Sequence, residues 1–367
     1  MENSALSLTL EYVKLTMNNA AQLSAYGDYL VIREAMTNIR KVAELAGVSV
    51  ATVSRALKSP DIVSPTTREK VLKAVDQAGY KPNLMAVQFR SQRTYNLVVL
   101  VPTIANTFFA RVISGIQEAA QERGYGVLLC NTLGNEAMEI QYASLVSTRQ
   151  ADGVIQLRAF NPFSEKAFPA GAVLPMINAC EVLDDAPCPT VKLDNRAAAR
   201  EATEHLISLG HRRIGMIKGP RRSPLTRDRQ QGYQDALIAA GIPLDESLLC
   251  PGDFTPLSGY QAAETLIALA ERPSAIFCES DEMAIGAISR IKEAGLQIPK
   301  DISVTGFDDI AFASYSDPPL TTIAQPAEAF GREAVAMLIE VLEGRQVDNL
   351  VLPYTLVSRK STAECLP

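Results

Sequence analysis

This chain contains no tryptophan and only two histidines, His205 and His211. A histidine-based metal site or a Ser-His-Asp triad would have to use one of them, and neither lies near a nucleophile motif. His211 follows a glycine ahead of an apolar run, where such a residue usually caps or packs. The sequence also lacks the glycine-rich phosphate motifs and the His-Glu-x-x-His motif. It therefore gives no support for catalysis, a metal or a cofactor.

Cysteine pairs and long apolar runs are missing as well. The six cysteines show no Cys-x-x-Cys spacing, so we expect buried thiols in a reducing cytoplasm rather than disulfides or zinc ligands. No apolar run approaches the ~20 residues that cross a bilayer. The N-terminal segment lacks a basic stretch followed by an unbroken apolar one. These absences predict a cytoplasmic protein without a membrane partner.

Residues 1–36 show no convincing periodicity and end at Met36. We interpret Met36 as the natural start and the preceding segment as an extension outside the native protein. The alternative is a disordered N-terminal arm.

Residues 39–57 carry the most informative pattern, that of two short helices joined by a glycine turn. Gly47 supplies the turn, and Ser49 is placed to cap a second helix over residues 50–58. This is the arrangement of a helix-turn-helix, whose second helix fits the DNA major groove. An ordinary helical hairpin of an enzyme is the alternative. Against it, the second helix carries small residues and one long cation, Arg55, where a core helix would carry Leu and Phe.

A third helix is predicted after Ser64, with Val71, Leu72 and Val75 facing inward. The net charge of residues 37–93 is +6, whereas that of the whole chain is −6. A basic segment on an acidic body is expected when one module neutralises phosphates and the rest does not. The N-terminal part therefore reads as a DNA-binding head.

From residue 96 onward, strands and helices alternate. Residues 97–101 form a continuous apolar run, typical of a strand buried on both faces. The alternation continues to residue 155 and restarts over residues 196–307. Two such runs predict two parallel-sheet subdomains that bind ligands at the carboxyl ends of their strands. Facing each other, they would form the cleft of a sugar- or nucleoside-type sensor.

In their order, these segments resemble the lactose/galactose repressor (LacI/GalR) family of bacterial transcription factors, from about Met36 to the C-terminus. The motifs that carry the resemblance include Val42-Ala-x-x-Ala46-Gly-Val-Ser-x-Ala-Thr-Val-Ser-Arg55, Gly79-Tyr80-x-Pro82-Asn83, Gly210-His-Arg-Arg-Ile214, Phe277-x-x-Ser280-Asp281-x-Met283-Ala284-x-Gly286, Gly306-Phe307-Asp308-Asp309 and Pro319-Leu-Thr-Thr-Ile323-x-Gln325-Pro326. Residues 216–233 and 317–326 are most like the branch formed by the cytidine repressors.

The resemblance implies an α/β fold with a helix-turn-helix head and a periplasmic-binding-protein-like core of two doubly wound parallel-sheet subdomains. It also implies a homodimer. The implied boundaries are residues 37–82 for the head, 83–94 for the hinge helix, 95–180 with 326–351 for the N-terminal subdomain, and 181–325 with 352–367 for the C-terminal subdomain.

The candidate DNA contacts are Val50, Ala51, Thr52, Ser54, Arg55 and Phe89. Arg55 is expected to read guanine in the major groove, although a phosphate contact or surface ion pair is the alternative. Val50 and Ala51 suit thymine methyls, and Thr52 and Ser54 suit phosphates. Phe89 stands where the family usually places the leucine that enters the minor groove, or it packs hinge against hinge in the dimer.

The candidate effector contacts are Phe109, Ser223, Leu225, Arg229, Phe254, Ser280 and Asp308. Arg229 and Asp308 are expected to face each other across the cleft and clamp a polyhydroxylated ligand, the alternative being an interdomain salt bridge. Phe109 and Phe254 are expected to sandwich a ring. Asp281 is expected to cap a helix, which leaves Ser280 as the contact.

Two departures from the family bear on the ligand. Cys180 stands where the family commonly has Asp or Asn, which removes a polar contact. Ser223 replaces a cation found in relatives with an oxopurine effector, which argues against that ligand.

The function expected from all this is a ligand-responsive repressor that binds a near-palindromic operator as a homodimer. A nucleoside, purine or sugar in the cleft would modulate it. The alternative is a solute-binding protein or sugar-processing enzyme without specific DNA binding.

Overall fold

The computed structural model describes residues 38–58, 60–80, 93–163, 168 and 172–365. The chain divides into two compact units, Met1–Gln92 and Arg93–Pro367. The predicted extension over residues 1–36 and the predicted hinge up to residue 92 lie outside the described residues. Among the residues that are described, no helix is long and apolar enough to cross a membrane.

The smaller unit is built from the helices α1 (Ile39–Ala46), α2 (Val50–Lys58) and α3 (Pro65–Ala78), with a 3-10 turn at Pro60–Ile62. Ser49 Oγ accepts the Thr52 backbone N–H at 3.1 Å, which caps α2 as predicted. Gly47 adopts φ +65°, a left-handed conformation that glycine adopts without strain.

A small apolar cluster holds the three helices together. Its buried members are Val42, Ala43, Val53, Ala56, Val71 and Ala74. Leu72, which the sequence placed inward, is instead 43% exposed. The reason is that it directly follows the buried Val71, and adjacent residues on a helix do not share a face.

The larger unit alternates strands and helices as the sequence predicts. Its helices are α4 (Thr107–Glu122), α5 (Glu136–Ser147), α6 (Asn195–Ser208), α7 (Pro224–Ala239), α8 (Pro256–Ile267), α9 (Asp281–Glu293) and α10 (Ala327–Leu342). Its strands are β1 (Asn96–Val101), β2 (Gly126–Asn131), β3 (Gly153–Gln156), β4 (Met176–Ala179), β5 (Thr190–Leu193), β6 (Ile214–Lys218), β7 (Leu249–Pro251), β8 (Ala275–Cys278), β9 (Ser303–Asp308), β10 (Thr321–Ala324), β11 (Leu350–Leu352) and β12 (Thr355–Val357).

The strands form two six-stranded sheets with the same topology. The first has the order β11-β5-β4-β3-β1-β2 and the second β12-β10-β9-β8-β6-β7. Pairing is parallel throughout, except between β10 and β12. In each sheet the strand order reverses at one point, between β1 and β3 and between β6 and β8, and ligands bind at such points. The prediction of two doubly wound parallel-sheet subdomains is confirmed.

The first crossing between the subdomains lies later than the sequence placed it. Strand β5 pairs with β4 and β11 in the first sheet, so the N-terminal subdomain continues to Leu193 rather than ending at residue 180. The chain crosses again between β10 and α10, and between β11 and β12. Four residues with one exposed side chain give β5 too short a pattern to be recognised in the sequence.

Five of the six cysteines and His211 are buried, whereas Cys365 is half-buried, unlike the expectation of buried thiols. Cys130, Cys180, Cys188, Cys250 and Cys278 are buried and form no disulfides, as predicted. The His211 ring is buried, with Nδ1 2.9 Å from Ser274 Oγ and Nε2 3.0 Å from Ser303 Oγ. These contacts fit the prediction that His211 packs.

Candidate functional site

Helix α2 presents small side chains and one arginine on its outer face. Val50 is 41% exposed, and Ala51 and Arg55 are also exposed, whereas Val53 is buried in the head. Arg55 forms no ion pair with any described residue. Thr52 is half-buried, with its hydroxyl 2.9 Å from that of the capping Ser49.

Ser54 is half-buried on the same helix. Phe89 lies outside the described residues. The other candidate DNA contacts all lie on α2, and Val50, Ala51 and Arg55 are exposed there.

A cleft of about 1090 Å³ lies between the two subdomains. It is lined by segments that follow β1, β2, β3 and β4 on one side and β6, β7, β8 and β9 on the other. The predicted effector contacts all line it: Phe109, Ser223, Leu225, Arg229, Phe254, Ser280 and Asp308. The structure therefore brings together residues from widely separated parts of the sequence.

Arg229 and Asp308 do not face each other across the cleft, which corrects that prediction. Both belong to the C-terminal subdomain, Arg229 on α7 and Asp308 at the end of β9. No ion pair joins them; Asp308 Oδ1 accepts the Gln325 side-chain amide at 2.6 Å. Burial raises the pKa of Asp308 to about 7, against the opposing charge of Arg229.

Arg229 is held from several sides. Its Nε donates to Asn195 Oδ1 at 3.0 Å, and its Nη1 donates to the Glu279 carbonyl. The guanidinium carbon lies 3.6 Å from the centre of the Phe307 ring. Burial lowers the pKa of Arg229, and the Asp308 carboxyl opposes that shift. The C-terminal wall thus carries a fixed cation next to a carboxyl that holds its proton unusually firmly.

Ser280, rather than Asp281, takes the predicted capping role, and Ser280 also lines the cleft as predicted. Ser280 Oγ accepts the Met283 N–H at 3.3 Å, so Ser280 is the N-cap of α9 as well as a cleft residue. Asp281 is fully buried and accepts the Ile310 N–H at 2.9 Å and the Thr322 hydroxyl at 2.6 Å. Serine and aspartate are both favoured N-caps, so the sequence could not separate them.

The sequence missed most of the charged residues in the cleft. They are Arg158, Glu181, Arg222, Asp253 and Glu282. Two of these directly follow strands of the first sheet, Arg158 after β3 and Glu181 after β4. Ligands bind beyond the carboxyl ends of parallel strands, so the position of these two residues shortly after a predicted strand would have identified them.

Polar contacts join the two subdomains beside the cleft. Arg111 Nη1 on α4 donates to the Asp309 carbonyl after β9 at 2.9 Å. The backbone N–H and hydroxyl of Thr107 donate to Glu282 Oε1 at 3.0 and 3.2 Å. The Arg227 guanidinium forms a two-point ion pair with Asp184, at 2.6 and 2.8 Å. Thr107 and Asp184 belong to the N-terminal subdomain, and their partners to the C-terminal one.

Four cleft residues adopt positive φ although they are not glycine. They are Leu133 at 52°, Cys180 at 66°, Phe254 at 66° and Asp308 at 121°. Such conformations are uncommon for residues with a Cβ and cluster at binding sites. Four of the seven described residues of this kind line the cleft, which makes it the candidate functional site.

Two parts of the chain match known protein families. Residues 38–83 match the family described as bacterial regulatory proteins, lacI family. Residues 203–362 match the family described as periplasmic binding protein-like domain. The first covers the head and the second most of the C-terminal subdomain together with α10.

Relatives match nearly the whole chain. The HTH-type transcriptional repressor CytR of Escherichia coli (strain K12) is 40% identical over 332 residues, which cover 90% of this chain and 97% of that protein. The HTH-type transcriptional repressor PurR of Photobacterium profundum is 35% identical and covers 90% of this chain and 99% of its own length.

A solved structure of the lac repressor dimer, bound to operator and the anti-inducer ONPF, superposes with a TM-score of 0.80. It is 29% identical and covers 89% of this chain and 99% of its own.

Proposed function

The chain belongs to the LacI family of bacterial regulatory proteins, which are DNA-binding transcriptional regulators, and from that premise we propose how it works. It is a cytoplasmic repressor, and not an enzyme, whose operator affinity is set by a small molecule in the cleft. One observation carries the proposal. A single chain joins a capped helix with a DNA-reading face to a ligand-sized cleft between two subdomains.

The proposed DNA contact begins with α2. Two heads of a homodimer would place this helix in successive major grooves of a near-palindromic operator. Arg55 would donate to guanine, and the small side chains of Val50 and Ala51 would permit close approach to bases. Thr52, Ser54 and the cations of the head would contact phosphates. Phe89 would enter the minor groove at the centre.

The proposed effector is a compact ring compound such as a nucleoside, purine or sugar. Phe109 lies on the N-terminal wall and Phe254 on the C-terminal wall, so a ring between them would touch aromatic surface on both sides. Ser223 brings no cation to the cleft. Its buried hydroxyl lies beside the Glu181 carboxyl of the opposite wall.

Effector binding would change DNA affinity by favouring one arrangement of the two subdomains. A ligand that contacts both walls binds one arrangement better than another, and coupling free energies of this kind are about 1–3 kcal/mol. This corresponds to an operator affinity that changes by roughly five- to 150-fold.

Two measurements test the proposal. Gel shifts with the full chain should show a preferred site that survives an excess of competitor DNA; binding that any competitor abolishes would favour a solute-binding protein. A thermal-shift screen over nucleosides, purines and common sugars should identify the effector. A ligand at about 100 times its Kd stabilises the folded state by roughly 2.7 kcal/mol.

A further inference from the structure

The N-terminal wall of the cleft holds an arginine in a fixed orientation. Arg158 Nε donates to Glu139 Oε1 at 3.0 Å, and Arg158 Nη2 donates to Glu139 Oε2 at 2.9 Å. The Glu139 side chain is only 1% exposed. Its carboxylate also accepts the Thr132 hydroxyl at 3.1 Å and the Gln156 side-chain amide at 3.2 Å. Thr132 and Gln156 hold the Glu139 carboxylate in place, and the two-point ion pair with this carboxylate holds the Arg158 guanidinium.

The remaining nitrogen of this guanidinium is available to a ligand. Among the described residues, Nη1 of Arg158 has no hydrogen-bond partner, although the side chain is only 22% exposed and lines the cleft. The Phe160 ring, 5.2 Å from the guanidinium carbon, limits its movement further. Nη1 is not among the fully buried polar atoms, so it is accessible from the cleft. An acceptor bound in the cleft would satisfy Nη1.

The surrounding charges decide what kind of acceptor fits. Glu139 neutralises Arg158, and a second carboxyl, Glu181, lines the same wall. Burial raises the pKa of Glu181, while its contacts with Ser223 and the charge of Arg158 oppose that shift. The wall therefore has no net positive charge to hold an anion. It suits an uncharged acceptor, such as a carbonyl oxygen or a ring nitrogen.

We propose that Arg158, positioned by Glu139, is a specificity-determining residue of the cleft that donates from Nη1 to an uncharged acceptor of the effector. This inference rests on the proposed function, because it assumes that the effector binds in this cleft. The effector would then contact a polar residue on each wall, Arg158 on the N-terminal wall and Arg229 and Asp308 on the C-terminal wall. This arrangement also makes the cleft select against phosphorylated ligands.

Calorimetry with two probes tests this. Cytidine is uncharged and carries a carbonyl oxygen and a ring nitrogen as acceptors, and cytidine 5′-monophosphate adds a charged phosphate. Arg158→Lys should weaken cytidine binding by about ten- to a hundredfold, because a charged hydrogen bond is lost. The matched control Arg149→Lys, at an exposed site of the same subdomain, should bind cytidine as the wild type does.

Substitutions of Glu139 separate positioning from general damage. Glu139→Gln should weaken cytidine binding and shift selectivity toward the monophosphate, because the Arg158 charge is no longer neutralised. Glu139→Asp keeps the charge but moves the fork, so it should weaken cytidine without that shift. The control Glu122→Gln, an exposed acid on α4, should leave both affinities unchanged.

The outcomes distinguish the two proposals. Equal cytidine affinity in the wild type and Arg158→Lys would overturn this inference and leave the proposed function standing. If Arg158→Lys does not fold, the Glu139→Asp and Glu139→Gln variants decide, and unchanged selectivity in Glu139→Gln would overturn it. A wild type that binds no member of the nucleoside, purine and sugar panel would overturn both.

Discussion

Buried ionisable side chains are concentrated on the C-terminal wall of the cleft. Arg229 is a single cation among three buried carboxyls, those of Glu279, Asp281 and Asp308. Burial raises the pKa of Glu279 to about 8 and that of Asp308 to about 7, in both cases against the charge of Arg229. These acids therefore keep protons at a pH where exposed carboxyls have lost theirs.

A pH dependence of stability follows from Glu279. Its folded-state pKa lies above the usual value near 4.5, so the folded state binds the proton more tightly and stability falls as pH rises toward 8. Glu279→Gln imitates the protonated form. Urea unfolding measures the free energy of unfolding of both proteins. The difference between Glu279→Gln and the wild type should move in favour of the variant by more than ~1 kcal/mol from pH 5 to pH 9. Exposed Glu271→Gln should show no such change.

Asp308 tests the effector site. At a pH above its pKa of about 7, where Asp308 is ionised, Asp308→Asn should weaken effector binding by about ten- to a hundredfold, since hydrogen bonds to charged groups contribute roughly 1.5–3 kcal/mol. Effector-free operator binding should stay near wild type in a gel shift, because the head is untouched. Exposed Asp348→Asn is the control. Normal effector binding with a much lower melting temperature would make Asp308 a structural residue.

Arg55 tests the DNA-reading face. Arg55→Ala should abolish the preference for operator over random DNA yet leave weak, salt-sensitive binding, because phosphate contacts elsewhere in the head remain. Gel shifts at two salt concentrations measure both. Lys70→Ala, an exposed cation on α3, should leave the preference intact. Equal loss of specific and random binding would identify Arg55 as a phosphate contact.

At the scale of elements, the helices of the head were predictable because local chemistry sets their ends. Ser49 and Ser64 cap α2 and α3, and Gly47 and Gly79 end α1 and α3 in the left-handed conformation. The gathering of the candidate effector residues was also predictable, since parallel strands end at one edge.

Features that depend on distant contacts were not predictable. The sequence boundaries already put Arg229 and Asp308 in one subdomain, but the direction in which each side chain points depends on tertiary contacts, so the expected clamp across the cleft was wrong. Strand β5 was assigned to the wrong subdomain because its partner β11 lies far along the chain.

The ion pair between Arg227 on α7 and Asp184, in the loop between β4 and β5, joins two elements across the cleft. Both side chains are more than half exposed, and exposed pairs contribute about 0–1 kcal/mol. Asp184→Asn should therefore weaken effector binding by up to about fivefold, measured by calorimetry, because closure loses this contact.

The chain offers a matched control in the Arg196 and Asp235 pair, which is also two-pointed but lies within the C-terminal subdomain. Asp235→Asn should leave effector affinity unchanged. Equal effects of the two substitutions would show that Arg227 and Asp184 do not govern closure.

At the scale of the whole molecule, the edge of the first sheet is the candidate dimer contact. On edge strand β2, Leu128 is 36% and Leu129 41% exposed. An unpaired strand edge with exposed apolar side chains can pair with or pack against another chain. Leu129→Glu should give a monomer by light scattering and weaken operator binding strongly, because two linked heads are needed for avidity.

Ile238→Glu places the same charge on an exposed apolar site of α7 and should remain dimeric. If the Leu129→Glu protein remains dimeric, the dimer contact does not involve this part of β2.

The three crossings between subdomains have a consequence for synthesis on the ribosome. Roughly 150 residues separate β5 from β11, its partner in the first sheet, and translating them takes about eight to thirty seconds. During that time β5 is an unpaired edge, and α4 lacks the helix α10 that packs on it. The subdomain translated first is thus completed only near the end of synthesis. A nascent chain stalled before residue 350 would expose that edge to chaperones or to other nascent chains.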